Sequence, residues 1–428
     1  MSTRTRLSVL LISTPLLAFI VVGGVLGNST PSDTDFQHLR VFDDVVSLIL
    51  NNYVEEPDMN KVMDGAMRGL ADGLDPDSAY LSADEVKTLE AGEARPAGDV
   101  GVEMTRQYYL RIIAVRDNSP AAKAGLETGD YVRAIDTKPT RDMSVYEGMR
   151  LLRGVPGTKL TLTVIRGNAA EPRDFALVRE RDPGAVVSAK MMPGDIGYIR
   201  IASFGPDAAA KIKSEAAQLS KAGAKHLLVD IRRNAEGPID SGIEAARLFV
   251  KSGTLTMIGT RDEAHTVADA GAPVKRGTTP TTVVEKPVAG APTGVQDASP
   301  EQARDKVEQT ITAKPGDGTV TLPVTLLVTT GTSGAAEVFA AALVGNKRAD
   351  MVGERTLGRA ALQKLVPLPS GEGLWLTYAR YLTPSGDPIQ GKGLQPDQEV
   401  DEPEVEFDQT PPTTDAILDA ALARVHNG

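Results

Sequence analysis

The chain has 428 residues, enough for two or three domains at about 150 residues each. Hydrophobic residues make up 41% and charged residues 24%, which excludes wholesale disorder, and the absence of cysteine excludes disulfides, thiolate metal sites and cysteine nucleophiles together. A net charge of −11 with no basic block excludes a nucleic-acid binder, and the four histidines, His38, His226, His265 and His426, are too scattered for metal-ligand spacing, so no metal and no cofactor is expected.

At the N-terminus, Leu7 to Gly27 is an uncharged, mostly apolar run preceded by Arg4 and Arg6. It is long enough to cross a bilayer as a helix, with the arginines on the cytoplasmic side. The expectation is a membrane anchor over 1–27, spanning the inner membrane with 7–27, and an exported remainder on the periplasmic side of the cell envelope. A cleaved signal peptide is the rival reading, because Val25-Leu26-Gly27 offers small residues at a cleavage position.

The periodicity of Leu39, Phe42, Val45, Val46, Ile49 and Tyr53 predicts an amphipathic helix over Phe36–Val54. A second helix is expected from Met59 to Gly73. Ser82 with Glu85 three residues on is a capping-box start for a third, completing a helical domain over 36–95. From about Gly98 the pattern turns to strands and turns. Leu110–Val115, Tyr131–Asp136 and Leu160–Ile165 read as strands, and Ser144 with Glu147 opens a helix to Arg153. Ile196–Ile201, a helix over Asp207–Ala222 and Leu227–Ile231 form a βαβ unit. Val324–Thr329 is a further buried-type strand running through Gly331 into a helix from Ala335. Residues 261–318 are rich in Pro, Thr, Ala, Gly and Lys and bury too little to order themselves, so they are expected to be a disordered insertion, with at most a transient helix over Ser299–Thr312. A terminal helix is expected over Thr414–Val425.

Four pieces carry a resemblance. They are Asp64-Gly-Ala-Met-Arg-Gly-Leu with Leu74-Asp-Pro-Asp-Ser-Ala-Tyr-Leu-Ser82, then Gly98-Asp-Val-Gly-Val-Glu103 with Ser119-Pro-Ala-Ala-Lys-Ala-Gly-Leu-Glu-Thr-Gly-Asp130, then Arg153-Gly-Val-Pro-Gly-Thr158, and last Tyr381-Leu-Thr-Pro-Ser-Gly-Asp-Pro-Ile-Gln-Gly-Lys-Gly-Leu394. In this order they resemble the carboxyl-terminal processing peptidases, also called tail-specific proteases. The resemblance implies a multidomain α+β chain: an N-terminal helical segment, a PDZ-like β-rich domain over 96–183, a βαβ-containing α/β peptidase-like core split into 184–260 and 319–400, and a C-terminal tail with a helix over 401–428.

That family uses a serine nucleophile three residues before a glutamate, a lysine base 25 residues after the serine, and a glutamine four further on. Here Gly331-Thr-Ser-Gly-Ala-Ala-Glu337 and Gly353-Glu-Arg-Thr-Leu-Gly-Arg359 fall into register without a gap. The serine position holds Gly334, the lysine position holds Arg359, and only Gln363 is retained. Glycine has no atom to attack a carbonyl, and arginine stays protonated and cannot act as base. The family's oxyanion turn reads Asp230-Ile-Arg-Arg-Asn-Ala-Glu-Gly237, with Glu236 in a glycine position, where a carboxylate opposes a developing oxyanion. The expectation is a pseudoenzyme. The alternative is an active serine-type endopeptidase with a non-standard nucleophile, for which Ser333 and Lys364 are the neighbours to consider.

The PDZ-like module implies peptide binding by strand addition. Its expected site is the loop Asp99, Val100, Gly101, Val102 for a terminal carboxylate, with Val145, Met149 and Leu152 on the facing helix. The expected partners are protein C-termini or unfolded segments and, in a regulatory role, an active relative.

Overall fold

The computed structural model describes residues 33–92, 96–167, 171–261, 306–403, 405, 407, 409 and 413–427. The expected membrane span, residues 7–27, lies outside them, as do residues 262–305 of the expected insertion. No helix among the described residues is long and apolar enough to cross a membrane. The chain divides into two units: one runs to Gly65, and the other comprises the described residues from Ala66 onward.

In the first unit, helix α1 (Asp33–Asn52) carries exposed Leu39, Val45 and Leu48. Helix α2 (Met59–Asp72) begins in the first unit and ends in the second. The helical domain expected over 36–95 is therefore not one body. Strand β1 (Ala79–Leu81) pairs with a strand of the peptidase-like core, and helix α3 (Ala83–Glu90) follows it. The Glu85 carboxylate accepts the Ser82 backbone N–H at 3.0 Å, as the capping box requires. Ala79, Leu81 and Val86 form a small apolar cluster with Tyr146, Leu365 and Trp375, and that burial is what draws the segment into the larger unit.

The PDZ domain runs through β2 (Gly98–Asp99), β3 (Val102–Gln107), β4 (Tyr109–Val115), α4 (Pro120–Lys123), β5 (Tyr131–Ile135), β6 (Lys138–Pro139), α5 (Val145–Leu152), β7 (Lys159–Ile165), β8 (Arg173–Val178) and β9 (Glu180–Arg181). Its antiparallel sheet has the order β3-β4-β5-β7-β8, so β3 is an edge strand, and the β2–β9 pair closes the domain. Leu160, Leu162 and Val164 alternate inward along β7 onto Met104, Leu110 and Ile112. Helix α5 starts at Ser144, whose hydroxyl accepts the Glu147 N–H at 3.1 Å. It comes close to the sheet at Gly148, where a Cβ would lie 2.3 Å from the Leu110 side chain.

The core is built from β10 (Val187–Met192), β11 (Ile196–Ile201), α6 (Ala208–Lys221), β12 (His226–Asp230), α7 (Ile239–Ala246), β13 (Thr254–Thr260), β14 (Lys306–Thr312), β15 (Val324–Val328), α8 (Ala335–Gly345), β16 (Ala349–Gly353), β17 (Ala361–Pro367), β18 (Gly373–Leu382), β19 (Gln398–Glu399) and α9 (Ala416–Asn427). Its main sheet has the order β10-β11-β12-β15-β16-β19, parallel throughout except for β10. Phe204, Phe249 and Phe339 fill one face with residues of α6, α7 and α8. Ile417 and Ala421 of α9 cover the other face over Ile196, Leu228, Leu327 and Val352. The C-terminal helix is thus a layer of the core rather than part of a tail. A second, antiparallel sheet joins β1, β18, β13 and β14, with β17 also on β18.

Strand β14 corrects the expected insertion. Residues 306–318 are ordered, and where a helix reaching Thr312 was expected there is a strand paired with β13. Asp317 meets Arg247 at 3.1 Å, and the Gly318 N–H donates to the Arg247 carbonyl. The strand is almost wholly exposed and its apolar content is small. It is held by its backbone ladder, which composition does not register.

Candidate functional site

The fully buried strand β15 leads through Thr329–Ser333 to Gly334, which opens α8. Gly334 has φ 61° and ψ −119°, a sharp strand-to-helix elbow that strains any residue with a side chain. The Thr332 hydroxyl donates to the Ile231 carbonyl at 3.0 Å, and the Ser333 N–H donates to the Asn234 carbonyl at 2.9 Å, so the elbow is pinned to the turn after β12.

Glu337 brings the two dyad positions together. Its side chain is fully buried. It accepts the N–H groups of Gly334 at 3.2 Å, Gly358 at 2.6 Å and Arg359 at 2.8 Å, together with the Thr356 hydroxyl. Burial lifts its pKa to about 7 against the pull of these four donors. One carboxylate therefore fixes the elbow against the loop that carries Arg359.

Arg359 does not point at an empty base position. Its Nε–H donates to Asp77 Oδ1 at 2.7 Å, and a second nitrogen donates to the Met104 carbonyl at 3.1 Å. Glu103 stands 3.7 Å away. A quarter of the Arg359 side chain remains exposed. Burial works against its charge, but Asp77 and Glu103 outweigh that and raise its pKa further. The sequence reading missed Asp77 as its partner, because 282 residues separate the two. Gln363 is placed on β17, donating to the Thr377 hydroxyl at 3.3 Å, which in turn donates to Asp75.

Ser333 is buried, and Gly334, not Ser333, caps α8. Lys364 is exposed on β17, its ammonium 5.1 Å from the centroid of the Tyr378 ring. No hydrogen bond or ion pair among the described residues joins Ser333 to Lys364.

Glu236 differs from expectation. Its carboxylate lies 2.8 Å from Arg116 of the PDZ domain, which also binds Asp99 at 2.7 Å. The charge that was expected to oppose an oxyanion is thus matched by a guanidinium. Burial still raises the Glu236 pKa, with Arg116 pulling it down.

The PDZ residues also need correcting. Val100, Val102, Val145 and Leu152 belong to the domain core, as packing of an amphipathic helix on a sheet demands, and of the three residues expected to line the groove on α5 only Met149 is half-buried. The Gly101 N–H donates to Asp99 Oδ1 at 3.0 Å, so the loop is closed on its own aspartate. Gly101 is required there by its φ of 73° and by Ser119, whose Cβ would lie 2.3 Å from an added Cβ. The walls of the groove, β3 and α5, face the core and α3: the Met104 carbonyl takes Arg359, Tyr146 lies 6.0 Å from Trp375, and Arg150 meets Glu85 of α3 at 3.5 Å.

Glu103, on β3, has a pKa raised to about 7 by burial, with Arg359 pulling it down and Glu236 and Asp99 pushing it up. An unfolded glutamate ionises near 4.5, so between about 4.5 and 7 the folded chain binds more protons than the unfolded one. The stability from this group is complete below about 4.5 and is lost as the pH rises to about 7. The melting temperature is expected to fall over that window, and Glu103→Gln to flatten the fall. A melting temperature that rises from pH 5 to 7, with no change of slope in Glu103→Gln, contradicts this assignment.

Residues 195–400 match the profile of peptidase family S41, and residues 111–166 match a PDZ domain. Residues 195–400 therefore form a peptidase family S41 domain. A carboxy-terminal-processing protease of Bartonella bacilliformis is 29% identical over 373 residues, covering 86% of this chain and 76% of the relative. A carboxyl-terminal-processing protease of Synechocystis sp. is 27% identical over 412 residues, covering 94% and 85%. Among solved structures, the photosystem II D1 C-terminal processing protease superposes with a TM-score of 0.61 at 25% identity, covering 83% of this chain and 86% of that one. The chain therefore joins a PDZ domain to an S41-type mixed α/β core, with glycine at the elbow and arginine in the loop beside it.

Proposed function

We propose that this S41 chain is an exported, membrane-anchored pseudoprotease that binds protein C-termini or unfolded segments through its PDZ domain and does not cut them. The observation that carries the reading is the state of the dyad positions: Gly334 supplies no nucleophile, and the Arg359 guanidinium is held by Asp77 and the Met104 carbonyl. The peptide adds to the edge of β3 beside α5, taking the Met104 carbonyl from Arg359. Its terminal carboxylate takes the Gly101 N–H from Asp99. Regulation of an active relative, by competing for the same C-termini, follows from binding without turnover. The run from Leu7 to Gly27 with its arginine flank supports the anchor.

The test is a labelled peptide offered as free acid and as amide, followed by fluorescence anisotropy. Loss of a charge-assisted hydrogen bond is expected to weaken the amide about tenfold, with both peptides recovered intact. Equal binding of acid and amide removes C-terminus reading, and absence of any binding removes the PDZ role.

A further inference from the structure

A polar cavity lies on the core itself, at the carboxyl ends of the parallel strands, where open α/β sheets take ligands. It measures about 290 Å³ and is lined by Ser188 and Lys190 of β10, Tyr198 and Arg200 of β11, and Asp230, Arg232 and Arg233 at the end of β12, with Asp117 reaching in from the PDZ domain. The register explains the cluster. Ser188 pairs with Arg200 and Arg200 with Asp230, while Lys190 pairs with Tyr198, so all five side chains share one sheet face. Further along that face α9 covers Ile196 and Leu228; the polar end is left open.

The charges lining the cavity do not cancel. Arg200 binds Asp117 through both oxygens, at 2.9 and 3.1 Å, and stands 3.5 Å from Asp230. Arg232 binds Asp230 at 2.7 Å and, beyond the cavity, Asp415 at 2.7 Å and Glu402 at 3.5 Å. Tyr198 donates its hydroxyl to Asp230. Both lining carboxylates are thereby matched. Lys190 only overlies the Tyr198 ring at 5.2 Å, and Arg233 has no side-chain hydrogen bond or ion pair among the described residues. Both are exposed. Arg233 is also held at φ 51°, with its N–H on the Thr329 hydroxyl at 3.1 Å. Its field also reaches Glu127 and Glu402, which line a neighbouring cavity that Arg233 shares.

We infer that this cavity binds a phosphate-type oxyanion, gripped by the Lys190 ammonium and the Arg233 guanidinium with the Ser188 hydroxyl as a third donor. A tetrahedral oxyanion suits a guanidinium fork and an ammonium point charge better than a neutral ligand does. The anion is a free phosphate or the phosphodiester of a lipid headgroup.

The test uses the full-length chain and its Lys190→Gln/Arg233→Gln variant. Inorganic phosphate is titrated by calorimetry against chloride at equal ionic strength. Vesicles of phosphatidylcholine with and without phosphatidylglycerol are offered in flotation, with detergent-solubilised chain as the starting material in each case. The unmodified chain is expected to bind phosphate or anionic vesicles at least about tenfold more tightly than the double variant does. Binding of phosphate alone assigns a soluble ligand, and binding of anionic vesicles alone assigns a headgroup. Equal behaviour of the two chains, or no binding of either probe by the unmodified chain, overturns the site. An Arg233→Lys variant, which keeps the charge, is expected to recover part of the binding; failure to do so in a chain with an unchanged melting temperature also counts against it.

Discussion

Gly334→Ser on its own yields no peptidase activity, and neither does Arg359→Lys. The first places a hydroxyl at the elbow with no base beside it; the second places a lysine opposite a glycine. The serine has room, because a Cβ at Gly334 meets nothing nearer than the Arg359 carbonyl oxygen at 3.7 Å. Its backbone strain costs about 1–3 kcal/mol. The combined variant is expected to cleave an unfolded substrate only weakly, because Asp77 and Glu103, which hold the Arg359 guanidinium, hold a lysine in its protonated form too. Adding Asp77→Asn relieves that and is expected to raise cleavage by about tenfold or more, part of the roughly hundredfold or greater contribution of a well-tuned general base. Removing Glu236 is not expected to help, since Arg116 already matches its charge and loses a partner when it goes. The assay is release of a fluorophore from an unfolded labelled protein. Activity in either single variant contradicts the assignment of the two positions.

Glu337→Ala is expected to be the most destabilising single replacement in the core. It leaves four donors buried without an acceptor: the N–H groups of Gly334, Gly358 and Arg359, and the Thr356 hydroxyl. A buried unsatisfied donor costs about 1–3 kcal/mol, and partial relaxation brings the total to on the order of 4 kcal/mol. Glu337→Gln keeps one accepting oxygen and is expected to lose roughly half as much. Urea unfolding of the two variants against the unmodified chain measures both. The same replacements loosen Gly334 from Arg359, so the rebuilt dyad loses its cleavage in a Glu337→Gln background. Equal stability of all three chains removes Glu337 as the tie between elbow and loop.

Much of this arrangement could be read along the chain because its signals are local. Strand β15 is a continuous apolar run into a glycine, and the capping serines Ser82 and Ser144 announce their helices. Gly334 and Arg359 could be assigned because an unbroken register runs from Glu337 to Glu354. What escaped the sequence depends on partners far away. Asp77 reads as a turn residue until Arg359 folds onto it, and Glu236 reads as a lone charge until Arg116 arrives from the PDZ domain. Val145 and Leu152 have the spacing of a groove wall and of a core stripe alike, and only the packing tells them apart. Strand β14 is polar and exposed, held by a ladder that composition does not encode.

Binding without cleavage can be measured directly. The unmodified full-length chain is incubated with a peptide ending in a free carboxylate, and the bound fraction and the peptide's mass are followed in the same samples over a day. The predicted result is saturable binding with the peptide intact throughout. Progressive cleavage that disappears in Ser333→Ala would contradict it, and would make Ser333 the nucleophile of a working peptidase.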